Sequence, residues 1–109
     1  MTEFKNGSVK ISNIIIDQLI AESALQVEGT EVVVGYNGKK VDPKKKEGIV
    51  TVIKGTDIDI ALTVILNTDQ KIYEICEAIQ KSIKEQVKVM LNLDARNINI
   101  FVKEVEKVK

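Results

Sequence analysis

Residues 57–66 read Asp-Ile-Asp-Ile-Ala-Leu-Thr-Val-Ile-Leu and place an apolar side chain at every second position. Successive side chains of a β-strand point to opposite faces of its sheet. The set on one face is Ile58, Ile60, Leu62, Val64 and Leu66, and the set on the other is Asp57, Asp59, Ala61 and Thr63. One dry face and one mixed face are typical of a sheet that helices cover on one side only.

The neighbouring segments extend this strand into a sheet. Positions 49–54 are also rich in β-forming residues, and Gly55-Thr56 suits a two-residue hairpin turn between the two strands. Further strands are predicted at positions 8–11, 30–34 and 96–105. In the last of these, Ile98, Ile100 and Val102 share one face, and the other carries Asn97, Asn99, Phe101 and Lys103.

Two helices are predicted from apolar residues at three- and four-residue spacing. The second helix has the longer stripe, which consists of Ile72, Ile75, Cys76, Ile79, Ile83, Val87 and Met90. Asn67 or Thr68 is its predicted N-cap, and Asn92 is expected to end it in the left-handed conformation. The stripe of the first helix consists of Ile16, Leu19, Ile20, Ala24 and Val27. That helix is predicted to begin at Ser12 or Asn13 and to end at Gly29. Asp17 lies early in it, where a negative charge interacts favourably with the helix dipole.

The resulting order is β-α-β-β-β-α-β, which predicts an α+β two-layer sandwich: a mixed sheet with two helices on one face. With 109 residues the chain has the length of a single domain, expected to span positions 1–109. Within it we expect a Lys-rich loop at about 35–48 and a charged tail at 106–109.

Composition excludes most familiar catalytic and metal sites. The chain has no histidine and one cysteine, Cys76, so the commonest general base, the commonest metal ligand and any intramolecular disulfide are missing. Asp57 and Asp59 share one side of a strand, but nothing completes an acid–base or cation site around them, and they fit solvent-facing residues beside a turn. Cys76 lies on an apolar stripe and fits an inert buried thiol. We therefore predict no enzymatic activity, no catalytic residues, no cofactor and no metal.

The loop is the strongest local charge feature in a chain whose 16 basic and 16 acidic residues balance. Its lysines are Lys39, Lys40, Lys44, Lys45 and Lys46. Such a cluster suits contact with anionic headgroups or phosphates, and equally a loop that is simply solvated. Direct nucleic-acid binding is disfavoured, because the chain has a single arginine, Arg96, and Phe101 is the one candidate for an aromatic platform on a sheet face.

The pattern of strands and turns resembles the alkaline shock protein family, also called the Gls-type envelope stress response family. The opening Gly7-Ser8-Val9-Lys10-Ile11-Ser12 is similar to its "G-x-I-x-I-S" strand, and Gly48-Ile49-Val50-Thr51-Val52 to its "G-V-x-V" strand. Ile58-Asp59-Ile60 is similar to its "I-D-L" strand, and positions 98–102 to its closing "V-N-V-x-V" strand. Positions 29–33, 67–68 and 92 depart from the family pattern, which indicates a divergent member.

The resemblance implies a non-catalytic adaptor or scaffold in the bacterial cell-envelope stress response. Such a protein self-associates and docks to a membrane-associated protein, of which an integral membrane anchor is one kind. We expect it to be cytoplasmic, since the N-terminus lacks the apolar core of a signal peptide and no stretch reaches the ~20 apolar residues of a membrane span. The resemblance further implies a peripheral position at the inner face of the membrane, held through a partner. Two alternatives remain open: an accessory or regulatory subunit of a soluble metabolic enzyme, and a small module that binds nucleic acid or an anionic surface.

Overall fold

The protein was examined as a computed structural model, which describes residues 13–36 and 48–106 and the backbone of residues 3–4 and 7–8. The elements in chain order are β1 (Glu3–Phe4), β2 (Gly7–Ser8), α1 (Asn13–Leu25), β3 (Thr30–Val33), β4 (Val50–Lys54), β5 (Asp57–Leu66), α2 (Ile72–Leu91) and β6 (Asp94–Val105). Of the first predicted strand only Ser8 is described, and it pairs with Glu3 in the small β1–β2 hairpin. Positions 9–11 of that strand lie outside the described residues.

Strand β5 is the centre of the main sheet. Along one side it pairs antiparallel with β4 through its first half and with β3 through its last residues. Along its other side it pairs parallel with β6 over its whole length. The sheet is therefore mixed, and the predicted α+β class with two helices over one face is confirmed.

The core lies between the helices and one face of the sheet, called the covered face below. The five apolar residues of β5 that were assigned to one face are all fully buried. Opposite them α2 contributes Ile79, Ile83 and Val87, and α1 contributes Ile20, all at 0% exposure. Each such side chain contributes roughly 1.5–3 kcal/mol of transfer free energy on burial. Neither helix has the length and hydropathy required to cross a membrane, within the described parts of the chain.

The C-terminal end of α2 is as predicted, and its start is not. Asn92 adopts the left-handed conformation (φ 55°), its N–H donates to the Lys88 carbonyl, and the N–H of Leu93 donates to the Val87 carbonyl. The helix begins at Ile72 rather than near Asn67 or Thr68, because the Asn67 N–H donates to the Gly29 carbonyl and keeps that segment in the sheet. Met90, expected on the buried stripe, is 59% exposed because it lies in the last turn, beyond the fully buried Val87.

Helix α1 also ends earlier than predicted, at Leu25, four residues before Gly29. Gly29 follows in a turn with a φ of +104°, where a Cβ would lie 2.6 Å from Cδ1 of Ile75. The glycine is thus required by a positive φ and by the close approach of α2. Asp17 is not in the first turn of α1, so it does not compensate the helix dipole there.

Candidate functional site

The face of the sheet opposite the helices, called the open face below, carries the side chains that alternate with the core residues of β5. The pairing registers align these side chains in rows across the strands. From the β4–β5 turn the rows are Lys54, Asp57 and Asp94; Val52, Asp59 and Asn97; Val50, Ala61 and Asn99; Thr63 and Phe101; and Val32, Ile65 and Glu104. One end of the open face is therefore charged, and the other is predominantly apolar.

The apolar half of the open face exposes large side chains to solvent. Phe101 is 62% exposed, Val50 53% and Val52 47%. Phe101, Val50 and Thr63 line a shallow depression across β4, β5 and β6. Single exposed apolar residues are ordinary, but several large ones on one face of a sheet are typical of an interaction site. The position of Phe101 on this face was predicted from the sequence; the direction of Val50 and Val52 was not, since β4 lacks a clear alternation.

The charged end of the open face places the two predicted carboxylates together, each with a partner. Asp57 forms an ion pair with Arg96 (3.5 Å), and Asp59 accepts a hydrogen bond from Nδ2 of Asn97 (3.0 Å). No group of three or more residues able to hold a metal ion occurs among the described residues. The geometry of Asp57 and Asp59 matches solvent-facing residues that connect neighbouring strands.

The remaining titratable candidates lie on the helices. Burial raises the pKa of the Cys76 thiol in α2, which favours the unreactive protonated form. Burial also raises the pKa of Asp17 in α1 from 3.8 to about 6, while the hydrogen bond from the Thr51 hydroxyl of β4 acts in the opposite direction. One carboxylate oxygen of Asp17, Oδ1, is enclosed without a hydrogen-bond partner. Sequence periodicity could not reveal this burial, because it depends on how α1 crosses β4.

The lysines proposed to contact anionic surfaces lie outside the described residues. They are Lys39, Lys40, Lys44, Lys45 and Lys46.

The outer side of β6 is the second notable surface. Among the described residues β6 pairs with β5 alone, and its other side, unpaired in this part of the chain, is called the free edge below. At its two ends β6 is held by N–H groups that point toward β5: Asp94 donates to the Thr56 carbonyl (2.8 Å) and Glu106 to the Leu66 carbonyl (2.7 Å). Two register shifts between them place β-bulges at Arg96 and Lys103.

Each bulge reverses the alternation of backbone groups along the strand. Between the two bulges, the odd-numbered residues therefore point their N–H and C=O groups toward β5. Ile98, Ile100 and Val102 point theirs toward the free edge. The side chain of Gln80 on α2 supports this assignment, since its Nε2 donates to the Ile98 carbonyl at 2.9 Å.

A family model matches residues 1–107 of the chain. It is that of the alkaline shock protein 23 family, whose description gives a cell envelope-related function. Among curated proteins, the uncharacterized protein Spy1614 of Streptococcus pyogenes serotype M6 is 25% identical over 114 residues, covering 95% of this chain and 92% of that protein.

Solved structures of MamM CTD variants are similar in fold. One has a TM-score of 0.60 at 17% identity and covers 83% of this chain and 94% of its own. A copper form has a TM-score of 0.59 at 16% identity, with the same coverage. At this identity the likeness shows the fold alone.

Proposed function

Because the chain belongs to the alkaline shock protein 23 family, whose function is related to the cell envelope, we propose that it is a non-enzymatic adaptor in the envelope stress response. It binds a membrane-associated protein and associates with further copies of itself. It acts on the cytoplasmic side of the membrane and is held there by that partner.

The observation that carries the proposal is the apolar half of the open face. Phe101 on β6 and Val50 and Val52 on β4 are each about half exposed or more and lie on the same face of the sheet, on either side of β5. An aromatic side chain beside aliphatic neighbours is the kind of anchor that dominates protein–protein binding energy. The charged row at the β4–β5 turn borders this patch as a polar rim, which is typical of an interface.

Two further features agree with a role in binding rather than catalysis. Asp57 and Asp59 are each joined to a neighbour on β6. Partial burial raises the pKa of the Cys76 thiol, which favours its protonated form. These groups support the fold. In a catalytic site they would instead be available to a substrate.

The experiment is a crosslinked purification of the tagged protein from its native cells, divided into membrane and soluble fractions and read by mass spectrometry. The test variant is Phe101→Glu, which places a charge at the centre of the patch. The matched control is Tyr73→Glu, because Tyr73 is an aromatic residue on α2 that is 85% exposed. We expect the native protein and the control to recover an integral membrane protein. The amount of that protein recovered with Phe101→Glu should be lower by about tenfold or more.

Recovery of a soluble metabolic enzyme alone would contradict the proposal and favour a regulatory subunit. Recovery of RNA alone, with steep salt dependence, would favour a nucleic-acid module.

We also propose that the lysine cluster at positions 39–46 adds electrostatic attraction to anionic lipid near the partner. The variant changes Lys39, Lys40, Lys44, Lys45 and Lys46 to glutamine, and its binding to anionic liposomes is measured at low salt. Each lysine near such a surface contributes about 1 kcal/mol, so binding should fall steeply. Unchanged liposome and partner binding would refute this contribution.

A further inference from the structure

We infer that two copies of the chain pair through the free edge of β6, antiparallel and about a two-fold axis at Ile100, so that their sheets join into one. The inference rests on the self-association in the proposed function and identifies the surface that performs it. It concerns the edge of the sheet, whereas the membrane-associated partner is assigned to the open face.

Apart from the Gln80 amide at Ile98, the middle of the free edge lacks the devices that usually protect a sheet edge. Exposed edges are normally protected by charged side chains, proline or bulges, because their unpaired N–H and C=O groups attract other strands. In β6 the bulges at Arg96 and Lys103 lie at either end of residues 97–102, and the sequence between them, Asn-Ile-Asn-Ile-Phe-Val, carries no charge and no proline. A regular, uncharged edge of this kind is complementary to another strand of the same type.

The direction of the backbone groups limits the register to those that oppose one outward-pointing residue to another. An axis at Ile100 brings Ile98 opposite Val102 of the partner subunit and Ile100 opposite its own copy. All of these residues point their N–H and C=O groups outward, so each opposed pair exchanges two hydrogen bonds. The Gln80 amide, which donates to the Ile98 carbonyl, occupies one of two lone pairs and acts as a cap on the isolated edge.

The side chains agree with the same register. Ile98, Ile100 and Val102 all lie on the covered face and are only partly buried in one copy. Across the axis they extend the apolar layer from one subunit into the next. The register about Ile100 opposes Asp94 to Glu106 of the partner subunit and the register about Asn99 opposes it to Glu104 of the partner subunit, so Asp94 does not distinguish the two.

Charge at the ends of the pairing also favours the axis at Ile100. This register places Arg96 opposite Glu104 of the partner subunit, and by symmetry the same ion pair forms twice. Both residues are exposed, and the present partner of Arg96 is Asp57 at 3.5 Å, whose side chain is 40% exposed. The dimer therefore gains two opposite-charge contacts that are lacking in the register about Asn99, which opposes Arg96 to Val102 of the partner subunit.

The first test is sedimentation of the full chain over a range of concentrations up to about 1 mM. Glu104→Arg should raise the dimer dissociation constant at least about fivefold, because two attractive pairs become repulsive. The double variant Arg96→Glu/Glu104→Arg should restore it to within about threefold. Glu31→Arg is the matched control: the same charge change on β3, which borders the opposite side of β5, should have little effect.

The second test is amide hydrogen exchange, resolved by residue, at low and high protein concentration. The N–H groups of Ile98, Ile100 and Val102 should exchange about tenfold or more slowly at the concentration where the dimer forms. Those of Asn97, Asn99 and Phe101 already donate to β5 and should be protected at both concentrations.

The outcomes separate the two proposals. A dimer that leaves the three outward amides and the Glu104→Arg variant unaffected would overturn the edge pairing and leave self-association standing. A chain that stays monomeric throughout would overturn both.

Discussion

Replacing Asp17 with asparagine is expected to stabilise the protein at neutral pH and to change it little near pH 4. The Asp17 carboxyl lies between α1 and β4, and its Oδ1 is enclosed without a hydrogen-bond partner. Burial raises its pKa from the ordinary 3.8 to about 6, and the Thr51 hydroxyl offsets this only in part. The folded state therefore binds a proton more tightly than the unfolded chain does.

The sign follows from this difference. Below pH 3.8 the carboxyl is protonated in both states, and its contribution to stability is fully present. As the pH rises through about 6, the folded protein must hold an ionised, partly desolvated carboxylate, and the contribution is lost. A change from 3.8 to about 6 corresponds to an upper limit of roughly 3 kcal/mol. Because the side chain is only half-buried, solvent screening reduces this to about 1–2 kcal/mol.

The assay is urea unfolding followed by circular dichroism, for the native chain and for Asp17→Asn, at intervals from pH 4 to pH 7.5. The free energy of unfolding of the variant should exceed the native value by about 1–2 kcal/mol at pH 7.5, and the difference should shrink toward pH 4. Asp59→Asn is the control, since Asp59 is hydrogen-bonded by Asn97 on the open face and its loss of charge should cost under about 0.5 kcal/mol. A variant that is less stable at pH 7.5, or a difference that does not vary with pH, would refute the desolvation of Asp17.

Two further substitutions test the packing around α1. Gly29→Ala should destabilise the protein by about 1–3 kcal/mol in urea unfolding, because its Cβ would meet Ile75 at 2.6 Å, whereas Gly55→Ala, with nothing within 4 Å, should cost less. An equal cost for the two glycines would contradict the assigned contact. Tyr36→Phe removes the hydrogen bond that the hydroxyl donates to Glu22 at 2.9 Å and should lower the melting temperature by an amount equivalent to about 1 kcal/mol. A variant as stable as the native chain would show that this bond contributes nothing.

The parts of the fold that could be predicted are those fixed by local periodicity. The alternation over positions 57–66 gave the strand with its bounds, and the spacing of Ile79, Ile83 and Val87 gave the helix that covers it. The Gly55-Thr56 turn and the left-handed Asn92 followed from residue types that tolerate a positive φ. In each case the signal lies within a few residues of the feature.

The parts that could not be predicted depend on contacts distant in sequence. The start of α2 was misplaced because a hydrogen bond from Asn67 to Gly29 extends the sheet past the expected cap. Met90 has the spacing of a core residue, but spacing does not show where the core beneath a helix ends. The free edge required the two bulges of β6, which only the pairing with β5 reveals.

The central claim is that the sheet, rather than the helical layer, is the surface that holds the partner. It is tested most directly by placing a photo-crosslinking phenylalanine analogue at Phe101 or at Tyr73, one residue at a time, and irradiating native cells. Tyr73 reports on the helical layer. Its side chain is 85% exposed, against 62% for Phe101, so exposure alone would favour capture from position 73. We predict that position 101 crosslinks to an integral membrane protein and that position 73 does not. Capture of that protein from position 73 alone, or of none from position 101, would contradict the account.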